Sequence, residues 1–265
     1  MPRIACSTLH LTHRPLVDAL EHVARLGFTA WELPMRGDGV WQGHVDPARL
    51  LDDPDHRAMV RAAAARFPEL RCVGAGFEIA HDAPLARESA QFAAACALLR
   101  ELGASGIGIF LFDGQPVASR ERHAALRAIA TAHGLELSVE THLGTATQDP
   151  ARARGLAAEL DLRLCVDFSH WVGQGIEPDA FGDLIPRAAH IQVRGCAAGA
   201  VEQGVDDEAQ VAALARRVRA CTPAGYAGWY AIEYIDRARD WDRSIARCRE
   251  AIGRAATGRG EAARS

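Results

Sequence analysis

Two amino acids are missing from this sequence: it contains no lysine and no asparagine, and all 30 of its Lys-plus-Arg residues are arginine. Without a lysine amine no side chain can form a Schiff base, which excludes lysine-dependent aldolases and pyridoxal enzymes. The P-loop lysine is absent, and no Gly-x-Gly-x-x-Gly motif follows the first predicted strand. We therefore expect neither a nucleotide nor pyridoxal phosphate as a cofactor.

Long apolar segments and paired cysteines are absent as well. No apolar run approaches the roughly 20 residues of a membrane span, and the first residues enter a strand-like run without a signal-peptide core. The seven cysteines are scattered, with no Cys-x-x-Cys pair, which indicates buried, reduced thiols. With a net charge of -4, we expect a cytoplasmic protein with neither a membrane nor a nucleic-acid partner.

The sequence does contain a regular alternation of short β-branched runs and longer Ala/Leu/Arg-rich stretches of helical period. This pattern predicts a parallel sheet covered by helices. Eight strand–helix units in one chain of this length favour the α/β class and a single (β/α)₈ TIM barrel, with a doubly wound open sheet as the alternative. We expect one barrel domain over 1–254 and a flexible C-terminal tail at 255–265. The strands are expected at 3–8, 28–33, 71–78, 106–111, 135–140, 162–167, 188–193 and 229–235.

Capping signals mark the starts of two predicted helices. Asp46-Pro47 and Asp149-Pro150 each place a capping side chain before a proline at the first helical position. The helices are expected at 15–26, 47–67, 84–102, 117–133, 149–160, 178–184, 207–220 and 239–254.

Four successive predicted strands each carry an ionisable side chain that an apolar strand does not need for packing. In α/β barrels the active site forms at the carboxyl ends of the strands. Each of these residues, taken singly, could be a helix cap or a salt-bridge partner, but four in consecutive strands favour one shared site. They are Glu140, Asp167, His190 and Glu233 on strands five to eight.

A metal ion would explain why these four side chains converge. Three carboxylates at one point would repel one another and retain a proton unless a cation neutralised them. Three carboxylates and one imidazole form a mostly hard ligand set, which suits Mn²⁺ or Mg²⁺, with Co²⁺ tolerated. We expect one divalent ion, Mn²⁺ in the first instance, bound by Glu140, Asp167, His190 and Glu233.

The segments around these residues resemble a known family, the xylose-isomerase-like barrel superfamily. Within it the closest resemblance is to the branch with ketose 3-epimerases, hydroxypyruvate isomerase and inosose dehydratase. The resemblance covers nearly the whole chain, but its specific motifs lie in the second half. It implies the same four metal ligands, with His170 and Arg194 as substrate contacts. The segments are 139–142, 166–171, 190–193 and 232–234.

Further residues are expected near the same face. His142 and Gln192 adjoin predicted ligands, and Trp171 could bind the sugar with its aromatic face, although core packing is the alternative for Trp171. Further candidates, with capping, core packing or solvent-facing loops as the alternative, are Trp31, Glu32, Glu78, His10, His44 and His81.

The resemblance also implies a chemistry. The metal would stabilise an enediolate formed from a sugar carbonyl and its neighbouring hydroxyl, while Glu140 and Glu233 remove and return a proton. Returning it to the same carbon epimerises the sugar, and returning it to the former carbonyl carbon interconverts aldose and ketose. We expect a sugar isomerase or epimerase with a small carbohydrate substrate, assembled as a homodimer or homotetramer.

Three alternatives differ in class. A dehydratase acting on a keto-polyol such as an inosose would use the same proton abstraction and then expel a hydroxyl, with His170 as the acid. An endonuclease IV-like DNA-repair enzyme of the same superfamily would need more histidines after strand seven than Arg194-Gly195-Cys196 supplies. A non-catalytic scaffold would have no use for the four ionisable residues.

Overall fold

Eight parallel strands close into a barrel in the computed structural model, which describes residues 1–37, 43–113 and 119–257. Around the barrel each strand pairs with its neighbours in the order β1-β10-β7-β6-β5-β4-β3-β2 and back to β1. The predicted (β/α)₈ barrel is therefore confirmed, and the open sheet is excluded. The strands are β1 (Arg3–Ser7), β2 (Ala30–Arg36), β3 (Arg71–Glu78), β4 (Gly106–Ile109), β5 (Glu136–Glu140), β6 (Leu164–Asp167), β7 (Ala188–Val193) and β10 (Trp229–Ile232).

Helices surround this barrel, and none of them in the described ranges is long and apolar enough to cross a membrane. Three short 3₁₀ segments, Leu9–Leu11, Pro178–Ala180 and Gly182–Arg187, complete the helical structure of these ranges. The α-helices are α1 (Leu16–Arg25), α2 (Arg49–Asp52), α3 (Pro54–Ala65), α4 (Leu85–Glu101), α5 (Ser119–Ala132), α6 (Pro150–Leu160), α7 (Phe168–Gly173), α8 (Glu208–Ala220) and α9 (Asp242–Thr257).

One of the two predicted caps is correct and the other is wrong. Asp149 accepts a hydrogen bond from the Arg152 amide at 2.8 Å and starts α6 as predicted. The single helix predicted over 47–67 is instead two helices, α2 and α3. Asp53 caps the longer one by accepting from the His56 amide at 3.0 Å. Pro54 has no N–H to continue the preceding helix, so the chain restarts there.

Several elements differ from the sequence prediction. The helix α7 follows β6 without a loop, and the helix predicted at 178–184 is a pair of 3₁₀ segments. A two-stranded hairpin, β8 (Gly195–Ala197) and β9 (Ala200–Gln203), follows β7. The helix α9 extends to Thr257, so it includes the first residues of the predicted tail, whose remainder at 258–265 lies outside the described residues.

The barrel interior is not uniformly filled. Glycines on the adjacent strands β3 and β4, namely Gly74, Gly76, Gly106 and Gly108, place no side chains on that side. A cavity of about 470 Å³ remains and extends from Glu140 at the carboxyl end of the barrel to the amino ends of the strands.

Candidate active site at the carboxyl end of the barrel

Strand register brings three of the predicted carboxylates together. Asp167 ends β6 level with Gln192 of β7, and the Glu233 amide donates to the Val193 carbonyl at 3.2 Å just beyond β10. Glu140 ends β5. One carboxylate oxygen of each of Glu140, Asp167 and Glu233 lies within 4.8 Å of the others, and all three residues are buried.

His190 lies elsewhere. It is the third of six residues in β7, two residues before Gln192 and hence about 7 Å deeper in the barrel. Its Nε2 is 3.2 Å from Oε1 of Glu32 on β2. Burial works against the charged imidazole, but the Glu32 carboxylate outweighs it and raises the pKa of His190. The structure therefore does not bring His190 to the three carboxylates, and β7 contributes Gln192 and Arg194 there instead.

Hydrogen-bond donors surround Glu233. Its Oε2 accepts from Ser7 Oγ at 3.0 Å and from Gln192 Nε2 at 3.2 Å. Its Oε1 is 3.4 Å from Nη2 of Arg194. Ser7 was not among the predicted site residues, although it ends β1 and the strand-end rule that selected the carboxylates also applies to it.

Donors also surround Asp167. Its Oδ1 accepts from the Ser169 amide at 3.0 Å and from Ser169 Oγ at 2.5 Å, which makes Asp167 the N-cap of α7. Its Oδ2 pairs with Arg194 Nη2 and lies 3.3 Å from His170 Nε2. Each of the four carboxylate oxygens of Asp167 and Glu233 thus has a donor or a cation beside it.

Arg194 lies at the centre of this arrangement. Its side chain is fully buried, and Nη2 contacts Asp167 and Glu233 together. Within the described part of the chain, Nε and Nη1 have no hydrogen-bond partner. The guanidinium therefore lies between two carboxylates with two N–H-bearing nitrogens still available.

Two histidines lie next to Glu140. The rings of His142 and His170 are 3.9 Å apart between centroids, and each has a nitrogen within 4.8 Å of a Glu140 oxygen. Burial lowers the pKa of His142 to about 2, with His170 adding to the effect, and burial lowers the pKa of His170 to about 4. Both rings are therefore neutral near pH 7 and can act as hydrogen-bond partners of a polar ligand.

The remaining predicted residues lie outside this cluster. Trp171 is in the core, where its Nε1 donates to the Thr147 carbonyl at 3.2 Å and its ring packs against Phe181. Trp31 is also buried in the core. Glu78 pairs with Arg36 at 3.2 Å.

The two glutamates of the cluster both have raised pKa values. Burial raises the pKa of Glu140 well above the ordinary value, and the negative charge of Glu233 raises it further. Burial also raises the pKa of Glu233, although Arg194 opposes that increase. A pair of neighbouring carboxyl groups of this kind shares a proton, so one can accept a proton while the other donates one.

The three carboxylates form a group that could hold a metal ion, and their oxygens suit a hard divalent cation. Two observations separate the four predicted ligands in this arrangement. His190 pairs with Glu32, and the Arg194 guanidinium lies between Asp167 and Glu233. The residues in this arrangement do not fit a divalent ion bound beside Arg194, because both cations would need the same carboxylate oxygens.

A closed parallel barrel with buried acidic groups at the carboxyl ends of its strands defines the class of this protein. The chain belongs to the xylose isomerase-like TIM barrel family, which it matches over residues 20–251. This confirms the family resemblance seen in the sequence. Comparison with curated protein sequences finds no match.

Solved structures similar to this chain share its fold at low sequence identity. A D-allulose 3-epimerase from Methylomonas sp. is 16% identical, with a TM-score of 0.67 over 96% of this chain and 98% of that one. The probable 3-DHS dehydratase AsbF from Bacillus anthracis is 14% identical, with a TM-score of 0.64 over 96% and 99%. The IOLI protein with a bound zinc atom is 12% identical, with a TM-score of 0.64 over 96% and 98%.

Proposed function

We propose that this protein is an enzyme that isomerises or epimerises a small sugar by moving a proton on a carbon beside a carbonyl group. The observation that carries the proposal is the pair Glu140 and Glu233, two buried glutamates with raised pKa values and carboxylate oxygens within 4.8 Å of each other. Family membership and the similarity to an epimerase support it.

The side chains around the pair have distinct parts in this chemistry. The ionised glutamate takes the proton from the carbon beside the carbonyl, and the protonated one returns it. Ser7 and Gln192 hold Glu233 by their hydrogen bonds to Oε2. The neutral rings of His142 and His170 are positioned to bind sugar hydroxyl groups.

A dehydratase is the second candidate, because one observation favours it. Neither ring nitrogen of the buried His170 has a hydrogen-bond partner among the described residues, although Nε2 lies 3.3 Å from Asp167. A neutral histidine placed in this way could donate a hydrogen bond to a departing hydroxyl group, while the protonated glutamate of the pair gives the proton. The similarity to a probable dehydratase agrees with that role. A product that has lost water and absorbs as an enone would identify this reaction.

Deuterium exchange tests the proposed function. The protein is incubated in D₂O with pooled ketoses, aldoses and inososes, and deuterium in the recovered sugars is measured by mass spectrometry. We expect incorporation beside a carbonyl with the wild type and none with E140Q. A matched control is E136Q, which changes an exposed glutamate at the other end of β5 that pairs with Arg163 at 2.9 Å. No incorporation by the wild type, or equal incorporation by E140Q, would refute the proposal.

Assembly as a homodimer or homotetramer and a cytoplasmic location stay predictions.

A further inference from the structure

We propose that the Arg194 guanidinium is the resident cation of this site in place of a divalent metal ion, and that its two unpaired nitrogens bind the oxyanion formed during the reaction. The second half of this proposal rests on the proposed function. The first half does not, because it concerns the protein without substrate.

The Arg194 guanidinium lies where two carboxylates of the cluster meet. Nη2 contacts Asp167 and lies 3.4 Å from Glu233, and the side chain is 0% exposed. A metal ion bound through the same two carboxylate oxygens would compete with the guanidinium for them. A guanidinium stays charged in proteins, so it cannot lose a proton to reduce its repulsion with an incoming metal ion.

The carboxylates of Glu233 and Asp167 already accept hydrogen bonds from other side chains and from the backbone. Glu233 accepts from Ser7 and Gln192 at Oε2, and Asp167 accepts two hydrogen bonds from Ser169 at Oδ1. The oxygens left over, Oε1 and Oδ2, are those that face Arg194. Each of the two carboxylates thus already faces three donor atoms of the roughly four that its lone pairs can accept, as expected of carboxylates neutralised by hydrogen bonds and an ion pair.

The backbone holds Arg194 in place. The amide N–H of Gly195, the next residue, donates a hydrogen bond to Tyr234 Oη at 3.1 Å. A Cβ atom at Gly195 would lie 2.4 Å from the Gln203 carbonyl oxygen, so the hairpin strand β9 packs directly on the glycine. The chain after Arg194 is therefore fixed on both sides, which limits the freedom of the arginine to leave the cluster.

The unpaired nitrogens indicate a ligand. A buried N–H without a partner costs free energy unless a ligand or water satisfies it, and Nε and Nη1 of Arg194 are both of this kind. Each of them can donate to an oxygen of a ligand, and a preorganised cation beside a developing negative charge stabilises a transition state. A hydroxy-carbonyl compound, which gains an oxyanion when it loses a proton beside the carbonyl, is a ligand class that fits.

Metal binding tests the first half without any sugar. Wild-type protein is treated with EDTA, desalted and titrated with Mn²⁺, and free Mn²⁺ is followed by electron paramagnetic resonance. The same titration is made with R194M, which replaces the guanidinium by an apolar chain of similar length. The control is R122M, which removes another buried guanidinium, paired with Glu88, outside the cluster.

We expect R194M to bind Mn²⁺ at least about tenfold more tightly than the wild type, a change of the size that groups around a metal site produce. R122M should bind as weakly as the wild type. If R194M folds only with metal, Mn²⁺ should raise its Tm while leaving the wild-type Tm unchanged.

One bound equivalent of metal in the purified wild type, or Mn²⁺ affinity in the wild type equal to that of R194M, would overturn the proposal. Because no substrate is present, this outcome is independent of whether the protein acts on sugars.

The second half is tested with a stable mimic. Wild-type protein, R194M and R122M are titrated by calorimetry with a hydroxamate analogue of a hydroxy acid in the presence of EDTA. Binding by the wild type and R122M that is lost in R194M is the expected result. Equal affinity in all three proteins would exclude the oxyanion contact.

Discussion

Two layers of the barrel interior hold similar pairs of charged residues in different surroundings. At the carboxyl end, Glu233 faces Arg194, and the oxygens of Glu233 accept from several donors. Deeper in the barrel, Glu32 faces His190 at 3.2 Å, and Glu32 Oε2 has no hydrogen-bond partner among the described residues. The deeper pair borders the cavity left by the glycines of β3 and β4.

The Glu233 pair is therefore held by several hydrogen-bond donors, whereas the Glu32 pair lies in an incompletely filled part of the core. Preorganised donors fix the position of a carboxylate and strengthen its electrostatic effect. A pair beside open volume has no such support, since water can enter a polar cavity of that size. We therefore assign the chemistry to the carboxyl end and an effect on stability to the deeper pair.

The largest expected effect is on turnover. E233Q keeps the shape of the side chain but removes its ability to accept a proton, so deuterium exchange should fall by about 10²–10⁴-fold, the range for a lost general base. The matched change at the deeper pair is E32Q, which should leave exchange much closer to that of the wild type. A larger loss of exchange in E32Q than in E233Q would assign the chemistry to the deeper pair instead.

The next effect is on stability. R194M leaves the buried carboxylates of Asp167 and Glu233 without their cation, and breaking a buried ion pair in this way costs about 3–5 kcal/mol. Denaturant unfolding of the metal-free proteins should show a drop of this size in the free energy of unfolding. A change below about 1 kcal/mol, the value of an exposed pair, would show that Arg194 does not neutralise the cluster.

A pH effect distinguishes the deeper pair. The pKa of His190 is raised above its ordinary value of 6.5, so protonated His190 stabilises the native state below that pH. The contribution is lost as the pH rises through the folded-state pKa. The stability advantage of the wild type over H190Q should therefore shrink as the pH rises above 6.5. An advantage that grows with pH, measured by unfolding in buffers of matched ionic strength, would contradict the pairing with Glu32.

The smallest expected effect concerns the glycines. A Cβ at Gly108 would have its nearest neighbours, the Ala75 carbonyl oxygen and Ser138 Oγ, at 3.7 Å, an ordinary contact. G108A should raise the free energy of unfolding by about 0.4–1 kcal/mol, because alanine restricts the unfolded chain. G76A is the comparison, since its Cβ would lie 3.3 Å from Arg36 Nη1. Unfolding measurements that show a gain for G76A and a loss for G108A would contradict the cavity geometry.

The sequence predicted the barrel and its eight strands because the hydrophobic period and the number of strand–helix units indicate both. It also predicted Glu140, Asp167 and Glu233 as neighbours, since each stands at or just after the end of a strand. It misplaced His190 although it predicted the bounds of β7 correctly, because His190 is only the third residue of that strand and the carboxyl end is at Val193. A difference of two residues along a strand moves an inward-facing side chain from one layer of the barrel to the next.

Other features depend on contacts between distant segments, which no local pattern reveals. Arg194 is held through its neighbour Gly195, whose amide donates to Tyr234 Oη 39 residues further along the chain and which packs against the hairpin strand β9. The ring nitrogen of Trp171 could donate to a ligand or to another part of the protein. In the structure it donates to the Thr147 carbonyl, which keeps the ring in the core. Tertiary packing thus determines where the side chains of Arg194 and Trp171 lie, which the sequence does not indicate.

The most direct test of the account is deuterium exchange into the pooled sugars with EDTA-treated wild-type protein, measured with excess EDTA and again with added Mn²⁺. The account predicts exchange in EDTA at a rate that Mn²⁺ does not increase, because Glu140, Glu233 and Arg194 are all present in the chain. Exchange that disappears in EDTA and returns with Mn²⁺ would contradict it, since the cation of the site would then be a metal ion.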